Sequence, residues 1–347
     1  MCPALLYDRG KRRINGWFQR GTMYLAPLNY DRFFKKVFKD LKIAKVFIED
    51  FLEVEIESIE ALDTSARFTD NAAIMEFDYR CKIDGQYIII DMQQWYKPDV
   101  TQRFFLYHAL NTGLQLETLP QKKLIIDRDT GKAKEVKDYR RLEPVSTLIW
   151  MVEDNLGFEE NYMSYRLLPH TVEDFLKKNE LWRQQDIKTL LEEREVVLGH
   201  LRHTNRDIDF LPKNSLVFMF QKNIIKDEKI KKYHRWFEFA EITRNENNKE
   251  EDFEKFRGDE IFETMISRID KSKLEPDDMQ YINIQKEDMA KFGRWEEGVR
   301  EQSKREGKLE GKLEEKRETA RGCKKEGLST DLISKITGLS EEEIDKL

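Results

Sequence analysis

Two runs of alternating side chains, 72–83 and 87–93, flank the pair Asp84-Gly85, and this arrangement constrains the fold more than any other stretch. An Asp-Gly pair between such runs is a strong signal for a two-residue β-hairpin. Side chains alternate faces along a strand, so Asp91 and Gln93 point one way while Ile90 and Met92 point the other. The same rule places Glu76, Asp78 and Arg80 on one face of the preceding strand. Closing the hairpin then brings Asp78 and Asp91 onto adjacent antiparallel strands.

The flanking segments supply the rest of a domain. Upstream, from Asn29 to Val54, Phe33, Phe34, Val37, Phe38, Leu41, Ile43, Val46, Phe47 and Phe51 recur at helical intervals, with a break expected near 40–43 and Asn29 or Asp31 able to cap the start. Residues 54–62 read as a strand, and 99–116 return to helical spacing. Residues 122–143 form a polar insertion centred on Asp129-Thr130-Gly131, expected to project as a hairpin. Pro144–Val152 is an apolar, β-branched run suited to a buried strand that completes the sheet. The expected core, 23–165, is therefore α/β: helix, three strands, helix, strand. Residues 166–290 read as mainly helical, with Leu216–Phe220 the one plainly strand-like segment and Tyr233, Trp236, Phe237 and Phe239 as core packing. Residues 291–347 read as a charged, Gly-interrupted helix followed by a short helical hairpin like half of a helix-turn-helix unit. Residues 1–22 differ in character from the rest of the chain and read as a leader outside the fold, with Met23 as an alternative start.

Composition narrows the function. With 37% charged and 39% apolar residues the 347-residue chain suits a folded protein carrying long exposed helices, and its net charge of -6 gives no global nucleic-acid signature. Any such footprint has to be local. The insertion offers one: residues 121–143 hold eight Lys or Arg against five Asp or Glu. Cys2, Cys81 and Cys323 form neither a disulfide framework nor a zinc motif, which fits a reducing cytoplasm. The central apolar run Leu148–Val152 is far too short to span a bilayer, so no membrane partner is expected.

The hairpin also carries the chemistry. Asp78 and Asp91, with a backbone carbonyl such as that of Met92, make an oxygen-rich, partly open site suited to Mg²⁺ or Mn²⁺. Asp31 and Glu76 are supplementary acids, although helix capping explains Asp31 as well. Such an ion lowers the pKa of a bound water and stabilises charge on a phosphodiester under attack. On spacing alone, two acids in strands are more often solvated, outward-facing residues.

The order helix, three strands, helix, strand, with an acid on the second strand and Asp-x-Gln on the third, resembles the restriction-endonuclease-like PD-(D/E)XK fold. More narrowly, the chain resembles the recombination-promoting nuclease (Rpn) family of PD-(D/E)XK transposases. The marks are Asn29-Tyr30-Asp31 with Phe34-Lys35, Asp78, Ile90-Asp91-Met92-Gln93, Arg103 with Tyr107, and the tail from Gly327-Leu328-Ser329 to Ile336-Thr337-Gly338-Leu339-Ser340. The resemblance implies that Asp78 and Asp91 bind metal and that Gln93 stands at the usual Lys position. Two departures matter. Asp91 replaces the commoner Glu and is shorter by one methylene, and Gln93 can hydrogen-bond but carries no charge to orient water or offset phosphate. The face shared by Arg103 and Tyr107 lies beside the site, as the resemblance implies, and can contact phosphate. Lys122, Lys123, Arg128, Lys132 and Lys134 of the insertion are candidate DNA contacts, together with Lys137, Arg140 and Arg141. The implied function is a Mg²⁺- or Mn²⁺-dependent DNA endonuclease linked to recombination or mobile-element movement, acting as a homodimer. The rival is a catalytically degenerate scaffold that acts through its helical C-terminal half.

Overall fold

The computed structural model describes residues 23–67, 74–95, 97–126, 129–131, 133–183, 187–201 and 210–347. The expected leader, 1–22, lies outside the described residues. The chain divides into two compact units, Met1–Leu274 and Glu275–Leu347.

The first unit opens with two helices, α1 (Asp31–Phe38) and α2 (Leu41–Leu52). α1 buries Phe33, Phe34, Val37 and Phe38 on one side, and α2 buries Ile43, Ala44, Phe47, Ile48 and Phe51. The break between them is a cap, in which the Asp40 carboxylate accepts the Lys42 N–H at 2.9 Å. Neither Asn29 nor Asp31 caps α1. Tyr30 is its N-cap residue and makes no side-chain cap bond, while Asn29 is drawn into the core, donating to Gln221 Oε1 at 3.2 Å.

Strands β1 (Ile59–Ala61), β2 (Ser65–Ala66), β3 (Met75–Glu76), β4 (Tyr79–Ile83) and β5 (Gln86–Gln93) follow, then helix α3 (Val100–Thr118), the two-stranded ladder β6 (Gln121–Ile126) with β7 (Ala133–Lys137), and β8 (Val145–Met151). The Asp84-Gly85 turn is as expected, with Ile83 opposite Gln86 and Gly85 at φ +69°. Two strands are shorter than the alternation suggested. The Asp84 carboxylate accepts the N–H groups of Glu57 at 2.6 Å and Ser58 at 2.9 Å, which holds that backbone out of the ladder and leaves only β1. The run 72–83 is broken at Phe77–Asp78: β3 pairs with β2 in a ladder of its own, and β4 pairs with β5.

The main sheet has six strands in the order β1-β4-β5-β8-β10-β9, where β9 is Tyr162–Arg166 and β10 is Ser215–Phe220. β5, β8 and β10 are parallel, and β1, β4 and β9 run antiparallel to their neighbours. Every residue of β8 is buried, as a central parallel strand requires. The region 166–290 is mainly helical among its described residues, but it is joined to the sheet through one strand. Its apolar run 215–220 pairs with β8, and β9 closes that edge.

Helices α4 (His170–Lys177), α5 (Asn179–Arg183), α6 (Ile187–Leu201), α7 (Phe210–Lys213), α8 (Gln221–Ile224), α9 (His234–Arg244) and α10 (Glu260–Ile269) complete the unit. Trp150 of β8 anchors one face of the sheet. Phe34 meets it edge-on with ring centroids 5.9 Å apart, Phe47 stacks on it at 5.6 Å, and Phe237 of α9 lies at 4.2 Å. The aromatic residues of α9 therefore pack as core. The other face is covered by α3, whose Val100 and Phe104 pack with Ile149, Met151, Phe218 and Phe220.

In the second unit, α11 (Pro276–Lys325) is one continuous helix, so the boundary expected at 290/291 falls inside it. α12 (Thr330–Thr337) and α13 (Glu341–Asp345) turn about Gly338, at φ +68°, and Ile333, Leu339 and Ile344 pack with Ala320 of α11. No helix among the described residues is long and apolar enough to cross a membrane.

Candidate functional site

Asp91 sits near the carboxyl end of β5, the end of a parallel strand where open α/β sheets leave room for ligands. Asp78 falls in the break just before β4. Freed from the ladder there, its side chain turns back over β5, and Asp78 Oδ2 accepts the Met92 N–H at 2.8 Å. The Asp78 N–H in turn donates to Asp91 Oδ2 at 3.3 Å. Asp78 is thus held by the backbone of β5, and Asp91 by the backbone N–H of Asp78 itself. A strand residue directs its N–H and C=O to the same edge, so the Met92 carbonyl points toward the Asp78 side as well.

Helix α1 reaches the pair from the other side of the sheet. Lys35 Nζ is 3.4 Å from Asp78 Oδ1 and 2.9 Å from Asp31 Oδ1, and the Asp31 carboxyl lies within hydrogen-bonding reach of Asp78. From α3, Arg103 Nη2 donates to Gln93 Oε1, while Gln93 Nε2 donates to the Trp95 carbonyl. Both ends of the Gln93 amide are therefore engaged. Tyr107 packs edge-on against Phe77 at 5.2 Å and Phe104 at 5.7 Å, half-buried beside the acids.

Burial, then the Asp91 charge and the neighbouring Asp31 carboxyl, push the Asp78 carboxyl well above the usual range. Burial also raises Asp91, up to about 7, against the Asp78 N–H bond and the charges of Arg103 and Lys35, which lower it. For Lys35, burial works against the charged form, but the bond to Asp31 and the charges of Asp78 and Asp31 outweigh it, and the ammonium is stabilised. Burial followed by the Asp91 charge raises the Tyr107 phenol. Desolvated acids side by side create a demand for positive charge that the chain itself only partly meets.

The structure therefore assembles Asp31, Asp78, Asp91, Gln93, the Met92 backbone, Arg103 and Tyr107. Other candidates stand apart from this cluster or lie outside the described residues. Glu76 is exposed on β3, opposite Ser65. The basic insertion forms the β6–β7 hairpin, but its base joins the C-terminal end of α3 to the N-terminal end of β8, the opposite end of the parallel strands from Asp91. Arg128 and Lys132 lie outside the described residues, as do the side chains of Lys122, Lys123 and Lys134. Lys35 has no role in the pattern-based reading, although its spacing of four from Asp31 was visible. Among the described residues no group of three or more His, Cys, Asp or Glu side chains is arranged to hold a metal ion by itself. The carboxylate oxygens are nevertheless of the type that hard cations take. They are those of two desolvated carboxylates and a third at the rim, while the Lys35 ammonium, which has no lone pair to give, stands among them as a competing cation. The Met92 carbonyl and water would complete the coordination.

Comparison of the chain with protein-family models, with curated proteins and with solved structures finds no match.

Proposed function

We propose that this chain is a Mg²⁺- or Mn²⁺-dependent DNA endonuclease with a PD-(D/E)XK-type core, of the recombination-promoting nuclease kind. The observation that carries the reading is the interlocked acid pair. Asp78 and Asp91 share one backbone frame at the carboxyl edge of the sheet, and burial drives both carboxyls upward, so a divalent cation would relieve an electrostatic cost that the fold already bears. The succession of hairpin, helix α3 and parallel strand β8 supports the same reading.

Asp78, Asp91 and the Met92 carbonyl would hold the ion, with Asp31 as an outer acid. Bound there, it would supply a Lewis acid for the phosphoryl oxygens and a water of lowered pKa. The protein's own groups do the rest. Arg103 holds the Gln93 amide in place, and its guanidinium, stacked on the Phe104 ring at 4.6 Å, stands where a phosphate can be met. Tyr107 closes the α3 side and limits water around the acids. Cutting both strands of a duplex calls for a dimer, and the α12–α13 hairpin is the candidate for self-association.

One observation favours a second reading, a degenerate scaffold of the same fold: Gln93 is uncharged and both ends of its amide are engaged by Arg103 and Trp95. The test is nicking of supercoiled plasmid, and of RNA, with Mg²⁺ or Mn²⁺, by the wild type beside Asp78→Ala and Asp91→Ala. Nicking lost in both variants is the expected result. Nicking that persists in both sinks the site, and none by the wild type with either metal selects the scaffold.

A further inference from the structure

The acid cluster contains a cation of its own. Asp78 has two carboxylate oxygens, and one of them, Oδ2, is committed to the Met92 N–H. The other, Oδ1, faces the Lys35 ammonium at 3.4 Å. Lysine thus stands on the Asp78 oxygen opposite the one that the Met92 N–H engages, the more open of the two to a metal.

We propose that Lys35 is the resident counter-ion of Asp78, seated where a divalent cation would bind, so that the ion enters only by displacing the ammonium. The inference rests on the metal-site reading of Asp78 and Asp91. Three features of α1 support it. The helix cannot withdraw, because Phe33, Phe34, Val37 and Phe38 fix it to the core. The lysine stem is flexible, and the Lys35 side chain is 35% exposed, so the head group has somewhere to go. Asp31, one helical turn earlier and 51% exposed, holds the ammonium at 2.9 Å from the solvent side and retains it after displacement. Arg103 does not fill this place, since its hydrogen bond goes to Gln93. A single positive charge keeps the buried pair tolerable in the metal-free protein and at the same time opposes the divalent ion through both occupancy and repulsion.

The test is a Mn²⁺ titration at pH 8, followed by loss of the free-ion paramagnetic resonance signal, on the full chain and on Lys35→Met, Lys35→Gln and Lys35→Arg. Removing one unit charge in contact with the ion is expected to tighten Mn²⁺ binding by about tenfold or more in the neutral variants. Lys35→Arg, which keeps the charge, is expected to bind no more tightly than the wild type. A residue that merely supported the fold would weaken binding when replaced, the opposite sign. Thermal melts identify which variants are folded, and the neutral pair gives two chances at a folded one. Plasmid nicking is read in the same samples. Wild-type nicking with no gain in Mn²⁺ affinity in a folded neutral variant overturns the counter-ion and leaves the nuclease reading standing. A gain in affinity with no nicking upholds the counter-ion and overturns the nuclease. Absence of Mn²⁺ binding in every protein overturns both.

Discussion

Asp91→Asn should make the metal-free protein more stable at neutral and alkaline pH, although it removes half of the proposed site. The Asp91 carboxyl is raised to about 7, against roughly 3.9 in an unfolded chain. The folded state therefore holds a proton that the unfolded state has released, and the stability this group contributes is present below about pH 4 and lost as pH rises to about 7. The gap between the two values corresponds to about 4 kcal/mol at pH 8. Asn keeps an oxygen to accept the Asp78 N–H but places an NH₂ group where the second oxygen stood, at a cost of about 1–2 kcal/mol. The expected net gain is roughly 2–3 kcal/mol, or on the order of 4–10 °C for a unit of this size. Thermal melts in chelator at pH 4 and pH 8, followed by tryptophan fluorescence, read it directly, because Trp150 and Trp236 are buried in the same unit. At pH 4 the advantage should vanish or reverse. A variant less stable than the wild type at pH 8, or a difference equal at both pH values, refutes the argument that Asp91 is held ionised at a cost.

Two further outcomes rest on the same geometry. Gln93→Lys, which puts at position 93 the charge that the proposed nuclease core would call for, should not speed nicking. Position 93 is buried and Arg103 Nη2 points at it, so an ammonium there meets a guanidinium, and a loss of roughly 2–4 kcal/mol in melts is expected, recovered in part by Arg103→Met. Gly85→Ala should cost about 1 kcal/mol in chemical denaturation purely through its backbone, since φ is +69° and nothing lies within 4 Å of the added methyl.

Local signals carried much of the fold. The Asp84-Gly85 turn, the break at Asp40 and the buried strand β8 each depend on neighbours within a few residues, and each stands where the pattern put it. What the pattern could not supply depends on distant partners. Strand 54–62 shrinks because Asp84, far along the chain, captures the N–H groups of Glu57 and Ser58. The run 215–220 was legible as strand-like, but nothing local to it says that it pairs with β8, since a parallel partner is specified by burial and not by a turn.

The site divides along the same line, and its unread part bears most on function. Asp78 and Asp91 were legible because one tight turn fixes their separation. Yet alternation placed Asp78 inside a strand, whereas its usefulness comes from leaving the ladder: only outside β4 can its side chain swing back to take the Met92 N–H. Asp31 and Lys35, four apart on a helix, look like any surface ion pair, which is worth little by itself. Their meaning comes from the aromatic side chains between and beyond them. Phe34 packs edge-on against Trp150 and Phe38 against Phe47 and Trp236, and with that face of α1 fixed the neighbouring face, bearing Asp31 and Lys35, has to overhang the carboxyl end of β5. The core thus decides where the charge goes, so that replacing an α1 phenylalanine should disturb the acid cluster without touching any of its polar groups.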